Sequence, residues 1–238
     1  YVLSALIMLL LTLPALSQDK TSVLNKYSQS IAVIVSDAVP VGYGFFVTND
    51  ILVTTINTIG RFKNAQVLLN NGKYYDVLGY TASDADYDLA LLKINYDSAS
   101  PVILNSLNPV IGQKVFLVNK TTENALDLVD ATLSDIKDFG YVKLLSVEAP
   151  EQIKISGMPV FALSGNVIGM AVMPIVDNPG INFSIPAEKI EKLLASQEEI
   201  KKLILLMPLY EDIKVRSLTN GDKSVAVKEF LDQGLLRY

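Results

Sequence analysis

The 238-residue chain contains no histidine and no cysteine. Without cysteine there can be no disulfide, no thiolate nucleophile, no thiolate metal site and no lipid-modified N-terminal cysteine. Without histidine, a zinc site would have carboxylates alone to draw on, an unusual ligand set. The side chain that titrates nearest neutrality is also lost as a proton carrier. Positive charge is scarce too, with 20 Lys and Arg against 25 Asp and Glu and a net charge of -5. The basic residues are scattered apart from Lys201-Lys202, which reads as the solvated face of a helix. That balance excludes the basic face on which nucleic acid binding depends.

Long apolar runs are nearly absent. The exception is Val2–Leu16, interrupted by Pro14 and followed by Ser17 and Gln18. Its length and its small-residue end read as a signal peptide cleaved near Ser17, giving a leader over residues 1–17 and a secreted or periplasmic product. The run is short for a bilayer span. The alternative is an uncleaved membrane anchor.

What the chain does have is core material: half of its residues are hydrophobic and 19% are charged. That composition supports a packed interior and argues against disorder. From about Ile31 to Pro186 short runs rich in Val, Ile, Leu, Phe, Tyr and Thr alternate with turn residues. Examples are Ile31–Val35, Gly44–Val47, Ile51–Thr55, Ala65–Leu69, Leu89–Ile94, Val115–Val118, Tyr141–Val147, Val160–Ala162 and Val167–Val172. Turns are expected at Asn49-Asp50, Asn70-Asn71-Gly72, Ser164-Gly165-Asn166 and Asn178-Pro179-Gly180. Many short strands with such punctuation predict an antiparallel sandwich or barrel, and Asn95–Pro109 could join two halves. After Pro186 the period changes. Ile190, Leu193, Leu194, Ile200, Leu203 and Ile204 fall at helical spacing, predicting a helix over Ala187–Leu206 that Met207-Pro208 stops. A weaker helix is expected over Ser224–Leu235.

Four segments, in order, carry a family pattern. Gly42-Tyr43-Gly44-Phe45 leads to Thr54-Thr55-Ile56-Asn57-Thr58-Ile59, and Asn71-Gly72-Lys73-Tyr74-Tyr75 precedes Asp88-Leu89-Ala90-Leu91-Leu92-Lys93-Ile94. Ile111-Gly112-Gln113-Lys114-Val115 is followed by Lys154-Ile155-Ser156-Gly157-Met158-Pro159, Gly165-Asn166-Val167-Ile168-Gly169 and Phe183-Ser184-Ile185-Pro186. Over Val41–Leu194 this order resembles the HtrA-like branch of the trypsin-fold serine proteases. The resemblance implies an all-β fold of two antiparallel six-stranded β-barrels, over residues 18–98 and 99–186, with a C-terminal helical tail over 187–238. It implies that Ser156 matches the nucleophile and Asp88 the residue that orients the base. The base itself, a histidine in the family, is matched by Asn57. Lys154 and Ser156 match the two oxyanion-hole donors, and Lys154 stands where the family has glycine.

The chemistry then has a gap. A serine hydroxyl needs a group that takes its proton and returns it to the leaving amine. Asparagine does neither, and Asp88, read as a free carboxylate with a pKa of about 3.9, is a poor base for a hydroxyl. Lys in place of the oxyanion-hole glycine disfavours the backbone conformation that aims the donor. Met158 replaces a second glycine where small size would leave room for substrate. Lys154, two residues from Ser156, is the candidate for a substitute base, since a desolvated lysine can activate serine.

These observations predict a protease homologue without the catalytic base that binds polypeptide or a protein partner in the cleft between barrels. The alternatives are an active serine endopeptidase with a non-histidine base, and a scaffold or assembly protein, for which the resemblance suggests a homo-oligomer. No cofactor and no metal are expected. Asp84, Asp86 and Asp88 alternate like the start of a calcium loop, but Leu89 and Asn95 stand where its Gly and Glu belong, so an ordinary acidic turn is expected. Gly42 and Gly44 read as strand glycines and not as a phosphate loop. Asn119-Lys120-Thr121 and Asn182-Phe183-Ser184 are glycosylation sequons in a host that modifies secreted proteins.

Overall fold

The computed structural model describes residues 20–105, 109–120, 126–150, 153, 155–172 and 180–211. The expected leader, Lys154 and the expected helix at Ser224–Leu235 lie outside those residues.

The first barrel is built from β1 (Ile31–Ser36), β2 (Val39–Phe46), β3 (Ile51–Thr55), β4 (Gln66–Leu68), β5 (Tyr74–Asp84) and β6 (Leu89–Ile94), closed in the order β1-β2-β3-β6-β5-β4. The second comprises β7 (Lys114–Lys120), β8 (Leu126–Asp138), β9 (Lys143–Glu148), β10 (Pro159–Ala162), β11 (Val167–Val172) and β12 (Ile181–Pro186), closed as β10-β11-β12-β9-β8-β7. All pairings are antiparallel. The fold is the expected pair of six-stranded barrels.

Three strands of the first barrel form the wall between the two. Phe46, Leu52 and Leu92 point into the first-barrel core, while their neighbours Phe45, Val53 and Leu91 belong to the core that fills the second barrel. Successive side chains of a strand face opposite sides. A strand with a core on each side therefore reads as a mostly apolar run without alternation, as Ile51–Thr55 and Leu89–Ile94 do. Strand β8 buries Leu128, Ala131 and Leu133 among half-buried and exposed positions. Ahead of the barrels, helix α1 (Lys20–Tyr27) buries Val23 and Tyr27 against the second, with Tyr27 stacked on Phe161 at 5.3 Å.

The tail departs from expectation. Helix α3 spans Ala187–Ala195, a 3-10 turn spans Leu203–Leu206, and residues 207–211 are helical again. Between them Glu198 and Lys201 turn their backbone groups to β5. The apolar spacing of Ile190 and Leu193 does not run on to Leu203 and Leu206, because polar Ser196–Glu199 intervenes and extended pairing takes those groups. Pro208 does not stop the chain's helical course, since it falls in a first turn, where its missing N–H costs nothing. Helix α3 touches β11 and β12 of the second barrel and β5 and β6 of the first.

Candidate functional site at the barrel interface

Strand β3 ends at Thr55, whose hydroxyl accepts the Thr58 N–H at 3.1 Å and caps the one-turn helix α2 (Ile56–Ile59). The cap sets Asn57 on the first turn, half-buried. Asp88 arrives from a tight turn in which Asp84 Oδ1 accepts the N–H groups of Asp86 at 3.0 Å and Tyr87 at 3.1 Å. That local use of Asp84 makes the segment the ordinary acidic turn expected of it. Among the described residues no cluster of carboxylates is arranged to hold a metal ion.

Asp88 itself sits at φ +54°. Its carbonyl accepts the Ile56 N–H at 3.0 Å, and its Oδ1 accepts the Asn57 N–H at 2.8 Å. The residue is 8% exposed and Oδ2 has no hydrogen-bond partner. Burial pushes the carboxyl from 3.8 up to about 8, with backbone hydrogen bonds from Asn57 and Ile56 pulling the other way. Burial thus sets this carboxyl well above the value near 3.9 expected of a free carboxylate.

Ser156 precedes a glycine at φ +84°. The Gly157 N–H donates to the Ala171 carbonyl at 2.9 Å, and the Ala171 N–H donates back to the Met158 carbonyl at 2.7 Å. A Cβ on Gly157 would lie 2.1 Å from the Tyr43 carbonyl oxygen, so the loop rests directly on the β2–β3 wall. There Thr54 Oγ1 donates to the same Tyr43 oxygen at 2.7 Å, three residues before Asn57. The Ser156 hydroxyl is buried and has no hydrogen-bond partner. Since Asp88 Oδ2 is also unbonded, the two oxygens do not bond each other.

Met158 faces away from the site. It is fully buried in the second-barrel core, so it occupies no substrate space. Gly44, whose added Cβ would lie 2.3 Å from Leu52 Cδ2, is a close-packed strand glycine. The Asn182 sequon is closed by the fold: Asn182 is 4% exposed, Ser184 is fully buried, and Asn182 Oδ1 accepts the Ile153 N–H at 2.6 Å.

Two residues that the sequence did not mark as site residues complete the arrangement. Asn182 anchors the start of the loop that carries Ser156. Tyr87 ties Asp88 to the second barrel, its hydroxyl accepting the Lys143 N–H at 3.2 Å while Lys189 Nζ lies 5.0 Å from its ring centre. Tyr87 has no sequence signal, since its partners lie 56 and 102 residues away.

Residues 42–170, more than half of the chain, match the trypsin-like peptidase domain family. The chain belongs to that family. Its relatives place it with the HtrA-like proteins: serine protease HTRA1A of Danio rerio is 31% identical over 172 residues, covering 66% of this chain and 35% of the relative. Another relative has a different designation. Anti-sigma-I factor RsgI9 of Acetivibrio thermocellus is 26% identical over 149 residues, 62% of this chain and 21% of the relative. The chain spans little more than a third of the length of the HtrA-type relatives it matches. Among solved structures, the active form of the Rv3671c protease of M. tuberculosis superposes with a TM-score of 0.66 at 18% identity, covering 80% of this chain and 90% of that one. At that identity the likeness speaks for the shared trypsin-like fold alone.

Proposed function

We propose that this chain is a trypsin-fold pseudoprotease that works outside the cytoplasm by binding a polypeptide or a protein partner without cleaving it. One observation carries the reading: Asn57 stands at the sequence position of the base, and among the described residues the buried hydroxyl of Ser156 has no hydrogen-bond partner. A nucleophile needs a base within hydrogen-bond reach, geometry first and pKa second. Asp88 has a carboxyl raised to about 8, high enough for a useful base once ionised, but Oδ2 does not meet the Ser156 hydroxyl. Among the described residues no side-chain base meets the Ser156 hydroxyl, which supports the pseudoprotease reading over the serine-endopeptidase one. The signal-like Val2–Leu16 run supports an extracytoplasmic location, and a relative named as an anti-sigma factor supports a regulatory use of the domain.

The test uses the purified full chain with unfolded casein and with a fluorophosphonate probe for activated serine. Saturable casein binding without fragments, and no probe labelling, is the expected result. Labelling that disappears in Ser156→Ala would overturn the reading. An absence of casein binding would shift it to the scaffold alternative.

A further inference from the structure

The two edges of β5 are used unequally. One edge pairs with β6 from Val77 to Asp84, whereas β4 covers the other only from Tyr74 to Asp76. The uncovered stretch is taken by the tail. Glu198 N–H donates to the Thr81 carbonyl at 2.8 Å, Lys201 N–H to the Tyr80 carbonyl at 2.8 Å, and Tyr80 N–H to the Lys201 carbonyl at 2.9 Å. Thr81 Oγ1 adds a hydrogen bond to Gln197 Oε1 at 3.0 Å. The approach is close enough that a Cβ on Gly79 would lie 2.2 Å from the Lys201 carbonyl oxygen.

Past this pairing the tail turns inward. Leu203, Leu206 and Tyr210 are buried in the first-barrel core together with Ile56 and Ile59. The Leu203–Leu206 turn lies against α2 itself, and a Cβ on Gly60 would lie 3.3 Å from the Tyr210 Cβ. The turn that presents Asn57 is therefore backed by the tail. The capping hydroxyl of Thr55 and the two Asp88 acceptors hold the same turn.

We propose that residues 197–210 form a strap that opens and closes as one unit with the turn bearing Asn57. Local unfolding proceeds in contiguous cooperative units, and elements sharing a core and a hydrogen-bonded edge belong to the same unit. The second barrel shares neither with the strap beyond α3, so it forms a separate unit.

Native-state hydrogen–deuterium exchange of the full chain at rising urea concentration tests this. Amides of residues 55–60, of Tyr80 and of Lys201 should merge on one opening isotherm, lying below that of β8 and β9. A second measurement uses Leu206→Ala, which should speed exchange at 55–60 and at Tyr80 by about tenfold or more and leave β8 and β9 unchanged. Separate isotherms for 55–60 and Lys201 would overturn the proposal, as would a variant in which 55–60 keeps its protection or in which every strand opens together. If Leu206→Ala does not fold, the urea isotherms of the unmodified chain decide alone.

Discussion

Asp88 accepts the backbone N–H of Asn57 on one carboxylate oxygen at 2.8 Å and leaves the other buried without a partner. The contact holds positions 57 and 88 side by side, although no ring nitrogen links them. A polar oxygen buried alone is costly, and a proton on the carboxyl lowers that cost.

A pH dependence follows. The carboxyl is raised from 3.8 to about 8, so the folded state binds a proton that the unfolded chain has released across that window. Stability contributed by the protonated form is complete below pH 4, falls as pH rises toward 8, and levels off above. The slope is at most on the order of 1 kcal/mol per pH unit. Asp88→Asn keeps an acceptor for Asn57, tolerates the left-handed backbone and should remove this slope. Urea unfolding at pH 5 and pH 8.5 measures it; equal losses in both proteins would disprove the assignment to Asp88.

Restoring the ring should not restore the enzyme. In Asn57→His an imidazole can donate to Asp88 Oδ2, yet the Ser156 hydroxyl remains buried and Lys154 remains where the family has glycine. Casein turnover and fluorophosphonate labelling are expected to stay at the level of Ser156→Ala. Labelling above that level would mean that the missing base is the sole defect.

Met158→Ala tests which way that side chain faces. As a fully buried core residue it should cost about 2–5 kcal/mol in chemical unfolding. A stability change near zero, with a gain in peptide binding, would return Met158 to the substrate groove.

At Gly157 the backbone, and not a side chain, sets the limit. A methyl group there meets the Tyr43 carbonyl oxygen at 2.1 Å and strains a φ of +84°. Gly157→Ala should destabilise by about 1–3 kcal/mol. It should also displace the Ser156 loop from the β2–β3 wall, visible as shifted amide resonances of Tyr43 and Ala171. Unmoved resonances would show that the loop does not rest on that wall.

The strands that lie between two cores were the easiest to read, because burial on both sides leaves a mostly apolar run without alternation. Strands β5 and β8 were not singled out, since an exposed face dilutes their runs with Tyr, Asp, Ser and Lys. The sequence predicts a single helix in the tail because helical spacing on either side of Ser196–Glu199 happens to agree, while the edge of β5 that interrupts it lies more than a hundred residues upstream.

The identity of the groups at the candidate site is a covalent fact, and the sequence alone decided it: asparagine has no basic nitrogen wherever the chain places it. Burial is a property of neighbours. Whether Asp88 holds its proton, whether Ser156 can be reached and which way Met158 turns depend on residues brought together across the barrel interface, such as Tyr43 with Gly157 and Ala171 with Met158. Desolvation and steric contact act through space, so only the folded chain could settle those three points.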